Sequence, residues 1–263
     1  MSQSPMPRCL ITRFRLFNPL FALLLIPILF AACSQNNVTE DNSLKKYFDS
    51  ASVTGSFGMF DNGQGHFTIY NLPRFRDSAY LPAATFDILQ SLIGVQTGLV
   101  KDDSALVAVE REKGFSQLAL RIGKDTLKKW IDSLGYGNKN ISGPLDSFWL
   151  NNHLKITSDE QLGLVKKLYF DQLPFFQHTQ VMVRSTMLKE RNANYQLYYK
   201  TALGVKEDGH AIGWLMGWVE ENKHVYFFVL NLESANPTLD VNGAGVTILK
   251  GILRQMEFFQ GKK

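Results

Sequence analysis

The sequence predicts an α+β domain with a mostly antiparallel sheet. Two β-rich runs come first, amphipathic helical runs fill the middle, and three more β-rich runs precede a closing helix. Length and composition agree: 263 residues, 45% hydrophobic and 20% charged, make a globular chain and exclude disordered, collagen-like and coiled-coil classes. No internal repeat and no second linker interrupts the pattern.

Each element has its own signal. Residues 53–60 and 66–71 are β-rich and flank Asp61-Asn62-Gly63-Gln64-Gly65, whose Asn-Gly and glycines supply the positive φ of a hairpin. After Pro82, Phe86, Leu89 and Ile93 recur at helical spacing, with Gly98 shortly past the end. Phe115, Leu118, Ile122 and Leu127 predict more helix, as do Leu162, Val165, Leu168 and Tyr169. Residues 195–200, 212–219 and 224–232 read as strands joined by turns, and 246–258 as the closing helix.

The N-terminus reads as a targeting segment. Arg8, Arg13 and Arg15 precede an apolar run over 16–32 that Pro19 and Pro27 interrupt, short for a spanning helix. It ends in Phe30-Ala31-Ala32-Cys33-Ser34, which resembles a bacterial lipobox. The resemblance implies a lipoprotein signal peptide over 1–32 and lipidation of Cys33. It also implies export to a bacterial cell envelope, with the membrane as a partner through lipid. A signal anchor, or secretion with a chance cysteine, is the alternative. The polar, aperiodic stretch 33–50 is expected to be a flexible tether, leaving 51–263 as the folded domain. Cys9 would leave with the signal, so no disulfide is expected within the mature chain. Without residues 1–32 the 28 basic side chains fall to 25, against 24 acids. A charge near +1 carries no electrostatic footprint for DNA or RNA, and no nucleic-acid partner is expected.

Ordered short segments then carry a resemblance. Gly55-Ser56-Phe57, Tyr80-Leu81-Pro82-Ala83-Ala84-Thr85-Phe86-Asp87, Tyr136-Gly137-Asn138, Phe148-Trp149-Leu150, Lys200-Thr201-Ala202, the run from Gly213 to Glu220 and Val225-Tyr226-Phe227-Phe228 follow the order found in class D serine β-lactamases. The resemblance covers about 53–258. It implies the penicillin-recognising fold: a five-stranded antiparallel sheet flanked by helices, with a helical subdomain and a cleft between them.

In that family a serine in Pro-x-Ser-Thr-Phe-Lys attacks the β-lactam carbonyl, and a carbamylated lysine one turn later is the general base. Here the serine position is Ala84 and the lysine position is Asp87. Alanine cannot form an acyl-enzyme, and aspartate cannot be carbamylated. Thr85 keeps a hydroxyl, but consecutive helical residues point about 100° apart, away from the vacated place. The family's Ser-x-Val falls on Glu110-Arg111-Glu112, or a gap places Ser104 there. Its Lys-Thr-Gly is Lys200-Thr201-Ala202, and no arginine lies between Arg191 and Arg254 to bind a carboxylate.

The sites expected are therefore Lys200 and Thr201 for ligand contact, with Tyr136, Asn138 and Trp149 as further ligand-binding candidates whose packing role competes. Lys200 is expected to face Asp87 and to pair with it. Asp87 with Glu110 or Glu112 is the one carboxylate pair available for acid–base work. His66, His153, His178, His210 and His224 never fall at metal-ligand spacing, and no metal or cofactor is expected. No Gly-rich phosphate loop follows a strand: Gly63-Gln64-Gly65 is a turn, and Gly243-Ala244-Gly245 precedes the last helix. The expected function is a catalytically inactive, membrane-anchored β-lactamase-like protein that binds a cell-wall fragment, a β-lactam or an envelope protein. The alternatives are a weak or altered β-lactam or amide hydrolase using Asp87, and a non-covalent sensor or scaffold.

Overall fold

The computed structural model describes residues 37–111, 114–236 and 238–263. The expected signal segment, Cys9 and Cys33 lie outside them, as does Glu112. The main sheet has seven strands: β1 (Val38–Glu40), β2 (Thr54–Asp61), β3 (His66–Tyr70), β6 (Leu188–Arg191), β7 (Tyr195–Val205), β8 (Ala211–Glu221) and β9 (His224–Ser234). A separate ribbon pairs β4 (Ala79–Tyr80) with β5 (Ile156–Thr157). The main order is β1-β3-β2-β9-β8-β7-β6.

The five expected antiparallel strands are the middle of this sheet, β3-β2-β9-β8-β7. The count rises to seven because β6 pairs antiparallel on one edge and β1 pairs parallel to β3 on the other. Both additions are short, four and three residues. The expected tether is accordingly too long. Residues 38–40 are strand, and α1 (Lys45–Ser50) follows a turn of 3₁₀-helix. Leu44 and Phe48, four residues apart on one helix face, are fully buried, and the Phe48 ring meets Tyr70 at 4.7 Å.

The sheet is covered on both faces, which is why its central strands are apolar throughout instead of alternating. In β8, Trp214, Met216 and Trp218 face a helical layer while Leu215 and Val219 face the other side. The second face is closed by α1 and by α9 (Val241–Gln255). That last helix starts five residues before the expected position, so Gly243-Ala244-Gly245 lies inside it. The Asp240 side chain caps it by accepting from the Gly243 N–H at 3.0 Å. A Cβ at Gly245 would stand 2.4 Å from Leu215 Cδ1, so this glycine lets the helix lie on the sheet.

The helical layer holds α2 (Leu72–Asp77), α3 (Asp87–Gln96), α4 (Asp103–Arg111), α5 (Phe115–Ile122), α6 (Lys124–Leu134), α7 (Ser158–Tyr169) and α8 (Gln177–Thr186). The apolar spacing over 115–127 belongs to two helices, because Gly123 turns the chain at φ +83°. The β8–β9 hairpin turns on Asn222 and Lys223, both at positive φ, and matches the right-handed twist of its strands.

Candidate functional site

The expected cleft falls where the helical layer meets β7, around the start of α3. Pro82 leads into a 3₁₀ turn, Ala83–Phe86, whose first residue adopts φ +48°. A left-handed alanine costs about 1 kcal/mol or more and persists only where its surroundings impose it. Three contacts do so. The Trp214 indole N–H donates to the Leu81 carbonyl at 2.9 Å. The Thr85 hydroxyl donates to the Pro82 carbonyl at 2.6 Å and accepts from Gln161 Nε2 at 2.7 Å. Phe86, fully buried, packs against Tyr136, Phe148 and Trp149 with ring centroids 5.2–5.6 Å away. Thr85 is thus wholly committed to the turn, while Ala84 is half-buried.

The first residue of α3 is Asp87, and its carboxylate Oδ2 lies 3.6 Å from Lys200 Nζ. The expected pair therefore forms. It is part of a triad, because Lys200 Nζ also donates to Glu110 Oε1 at 2.9 Å and sits 5.4 Å from the centre of the Phe115 ring. The three side chains are 10%, 17% and 28% exposed for Asp87, Lys200 and Glu110. Burial pushes the Asp87 carboxyl up to about 7; Lys200 opposes the rise and Glu110 adds to it. One turn along α3, Gln90 is fully buried and neither of its amide atoms has a hydrogen-bond partner among the described residues. Lys189 on β6 feels both Glu110 and Lys200, and burial lowers its ammonium below the ordinary lysine value.

The other candidates fall elsewhere. Strand alternation sets Lys200 on the face of Tyr198 and Ala202, and Thr201 on the opposite face with Leu197 and Tyr199. Tyr136 and Trp149, each 3% exposed, belong to the core around Phe86, and burial raises the Tyr136 phenol well above its ordinary value. Asn138 spends its side chain on loop backbone: Nδ2 donates to the His153 carbonyl at 2.7 Å, and Oδ1 accepts from Asn140 and Lys155. Ser104 is exposed on α4, and Glu110 reaches Lys200 instead. The Ala202 methyl is 2% exposed in the core beneath the cleft.

One cluster was invisible to linear spacing. Asp208, His210 and Glu233 bring their ligand-type atoms within 4.8 Å of one another, the only such group among the described residues. Cations already fill it. Lys206 Nζ lies 2.6 Å from one Glu233 oxygen, which also meets His210 Nδ1 at 2.9 Å, and Arg74 binds the other oxygen at 2.9 Å. Burial pushes the Glu233 carboxyl up, but bonds from Lys206, His210 and Arg74 hold it down at about 2. This is an ion network tying the β7–β8 turn to α2 and β9.

Comparison with known proteins places this architecture. Residues 111–255 match the penicillin binding protein transpeptidase domain. The chain is 33% identical over 239 residues to β-lactamase OXA-48 of Klebsiella pneumoniae, covering 82% of this chain and 88% of that one. It is 30% identical over 240 residues to β-lactamase OXA-5 of Pseudomonas aeruginosa, covering 82% and 90%. Among solved structures, a class D β-lactamase from Nostoc superposes with a TM-score of 0.76 at 29% identity, covering 82% of this chain and 99% of that one. The C-terminal domain of the Bacillus licheniformis BlaR penicillin receptor shares the fold at a TM-score of 0.76 and 23% identity, covering 84% and 97%. This chain, with its five-strand antiparallel core and helical layer, therefore belongs to the penicillin-binding transpeptidase family as a homologue of the class D β-lactamases.

Proposed function

We propose that this protein is a lipid-anchored, penicillin-recognising domain that has given up acyl transfer and acts by binding. The observation that carries this reading is the triad. Lys200 is neutralised by Glu110 and Asp87, and Ala84, three residues before Asp87, offers no atom to attack a carbonyl. A nucleophile and its base act as a unit, so losing both leaves only the contributions of binding and oriented dipoles. The occupant of the cleft is a β-lactam or a cell-wall fragment of related chemistry, with an envelope protein as the other possible partner. Intact-mass measurement of the purified chain after exposure to several penicillins tests this. No covalent adduct and no hydrolysis of a chromogenic cephalosporin are expected, and restoring Ala84→Ser alone should not recover either. A stable acyl adduct on the unaltered chain would overturn the reading.

Attachment is the second part of the proposal. The small residues before Cys33 support cleavage there and lipidation of its thiol, with the folded domain displayed on the envelope. Cys33→Ser should move the protein from the membrane fraction to the soluble fraction while leaving its melting transition intact. Retention of that variant in membranes would assign 16–32 as an uncleaved anchor.

A second reading, an altered hydrolase, is favoured by one observation. A carboxyl held at about 7 in a desolvated cleft is suited to general-base work at neutral pH. Any turnover of a penicillin or amide that disappears in Asp87→Asn would select it.

A further inference from the structure

The site contains more negative charge than one lysine requires, and the surplus comes from an element with little else to hold it. Glu110 stands near the C-terminal end of α4, and of the nine residues of that helix only Leu106 is fully buried. Its partly buried Ala105 and Val109 rest on the helical core, while Asp103, Ser104, Val107, Ala108 and Arg111 line an open surface cavity. By contrast α3, which carries Asp87, has nine of its ten residues buried. Asp87 is thus fixed, whereas Glu110 is delivered to Lys200 by a lightly packed helix. Elements with few buried apolar contacts open at low free-energy cost.

We propose that Glu110 is a built-in competitor for the cleft: its carboxylate occupies Lys200 and holds α4 closed, and a ligand bearing a single carboxylate gains the site by displacing it. This deepens the binding reading given above and rests on it. The charge balance of the site defines the ligand. Replacing one carboxylate by another leaves the count of charges around Lys200 unchanged. A neutral ligand would strand Lys200 with Asp87 at the longer distance of 3.6 Å, and a dianion would meet Asp87 at close range. Apparent affinity for such a ligand equals the intrinsic affinity reduced by the fraction of molecules with Glu110 released. Glu110 therefore sets a threshold concentration for occupancy.

The experiment measures benzylpenicillin, a monocarboxylate, binding to the full-length protein in detergent by calorimetry. Glu110→Gln keeps the shape of the side chain and removes its charge, and it should bind at least about tenfold more tightly than the unaltered chain. Adding Lys200→Met to Glu110→Gln should abolish that gain. Hydrogen exchange of the unaltered chain supplies a readout that needs no variant to fold: saturating benzylpenicillin should increase exchange within residues 103–111 and leave α3 protected. Equal affinities for the unaltered and Glu110→Gln chains, or unchanged exchange over 103–111 at saturation, would overturn the competitor role. A covalent adduct seen by mass in the same samples would overturn the non-catalytic reading separately, since affinity and exchange do not report acylation.

Discussion

The residues of the cleft divide by what each could lose. Lys200 is the one cation in hydrogen-bonding or salt-bridge contact with Asp87 and Glu110 among the described residues, so its two partners are not equivalent to it. Removing Asp87 leaves Lys200 with its shorter bond to Glu110 intact. Burial also makes the charged form of Asp87 unfavourable, so Asp87→Asn should stabilise the fold by about 1–3 kcal/mol at pH 8. Removing Lys200 leaves two carboxylates facing each other in a mostly buried place. Lys200→Met should therefore destabilise by about 3–5 kcal/mol at the same pH, a loss that shrinks on acidification as the carboxyls protonate. Urea denaturation of both variants checks the contrast. Equal destabilisation by the two substitutions would mean that Asp87 and Lys200 form a simple pair with Glu110 outside it. The same asymmetry explains what the sequence could show here. The pairing of Asp87 with Lys200 follows from two positions in a family pattern. The same pattern offers Glu110 as a neighbour of Asp87, but its bond to Lys200 depends on how α4 packs, which no spacing encodes.

At the scale of elements, legibility followed the strength of the local signal. The β2–β3 hairpin and the three long strands were readable because each strand of the sheet's middle is eight or eleven residues of β-rich character, apart from the short β3, and the turns between them carry Asn-Gly, Asp-Gly or Asn-Lys. Where the reading failed, local polarity concealed a tertiary contact. Residues 38–50 contain Asp41, Asn42, Ser43, Lys45 and Lys46 and look like a tether, yet Leu44, Tyr47 and Phe48 lie at helical spacing and close the second core. Gly55 is part of the same arrangement, since a Cβ there would stand 2.7 Å from the Phe48 ring. The early start of α9 has a similar cause. The glycines placed before the helix lie inside it because a Cβ at Gly245 would meet Leu215 of the sheet and one at Gly243 would meet the capping Asp240 carboxylate, and these contacts outweigh helix propensity. The network of Asp208, His210 and Glu233 was hidden for another reason: its members come from a turn and from the far end of a different strand.

At the scale of the whole molecule, the two most strongly shifted carboxyls act on stability in opposite directions. Glu233 titrates near 2 in the folded state against 4.5 for an ordinary glutamate. Its contribution is therefore fully present above about pH 4.5 and is lost as pH falls towards 2. Partial exposure screens that network, so we assign it about 1–2 kcal/mol. Asp87 titrates near 7 against 3.8. Folding is favoured by its protonated form, so its contribution is full below about pH 3.8 and declines as pH rises through 7, by about 2–4 kcal/mol. The two limbs meet between them, and thermal unfolding followed by tryptophan fluorescence should show greatest stability near pH 4–5. The acid limb belongs to the network at the β7–β8 turn, and the neutral limb to the cleft. Glu233→Gln should therefore flatten the fall below pH 4 and leave the neutral limb unchanged. Asp87→Asn should do the reverse, raising the melting temperature at pH 8 towards its value at pH 5. A maximum at neutral pH in the unaltered chain, or a neutral limb that survives Asp87→Asn, would show that the cleft does not store the charge strain assigned to it. The outcome bears on function as well. A site that gains stability by protonation at Asp87 is kept at a cost near neutral pH, a cost for which the proposed binding role would account.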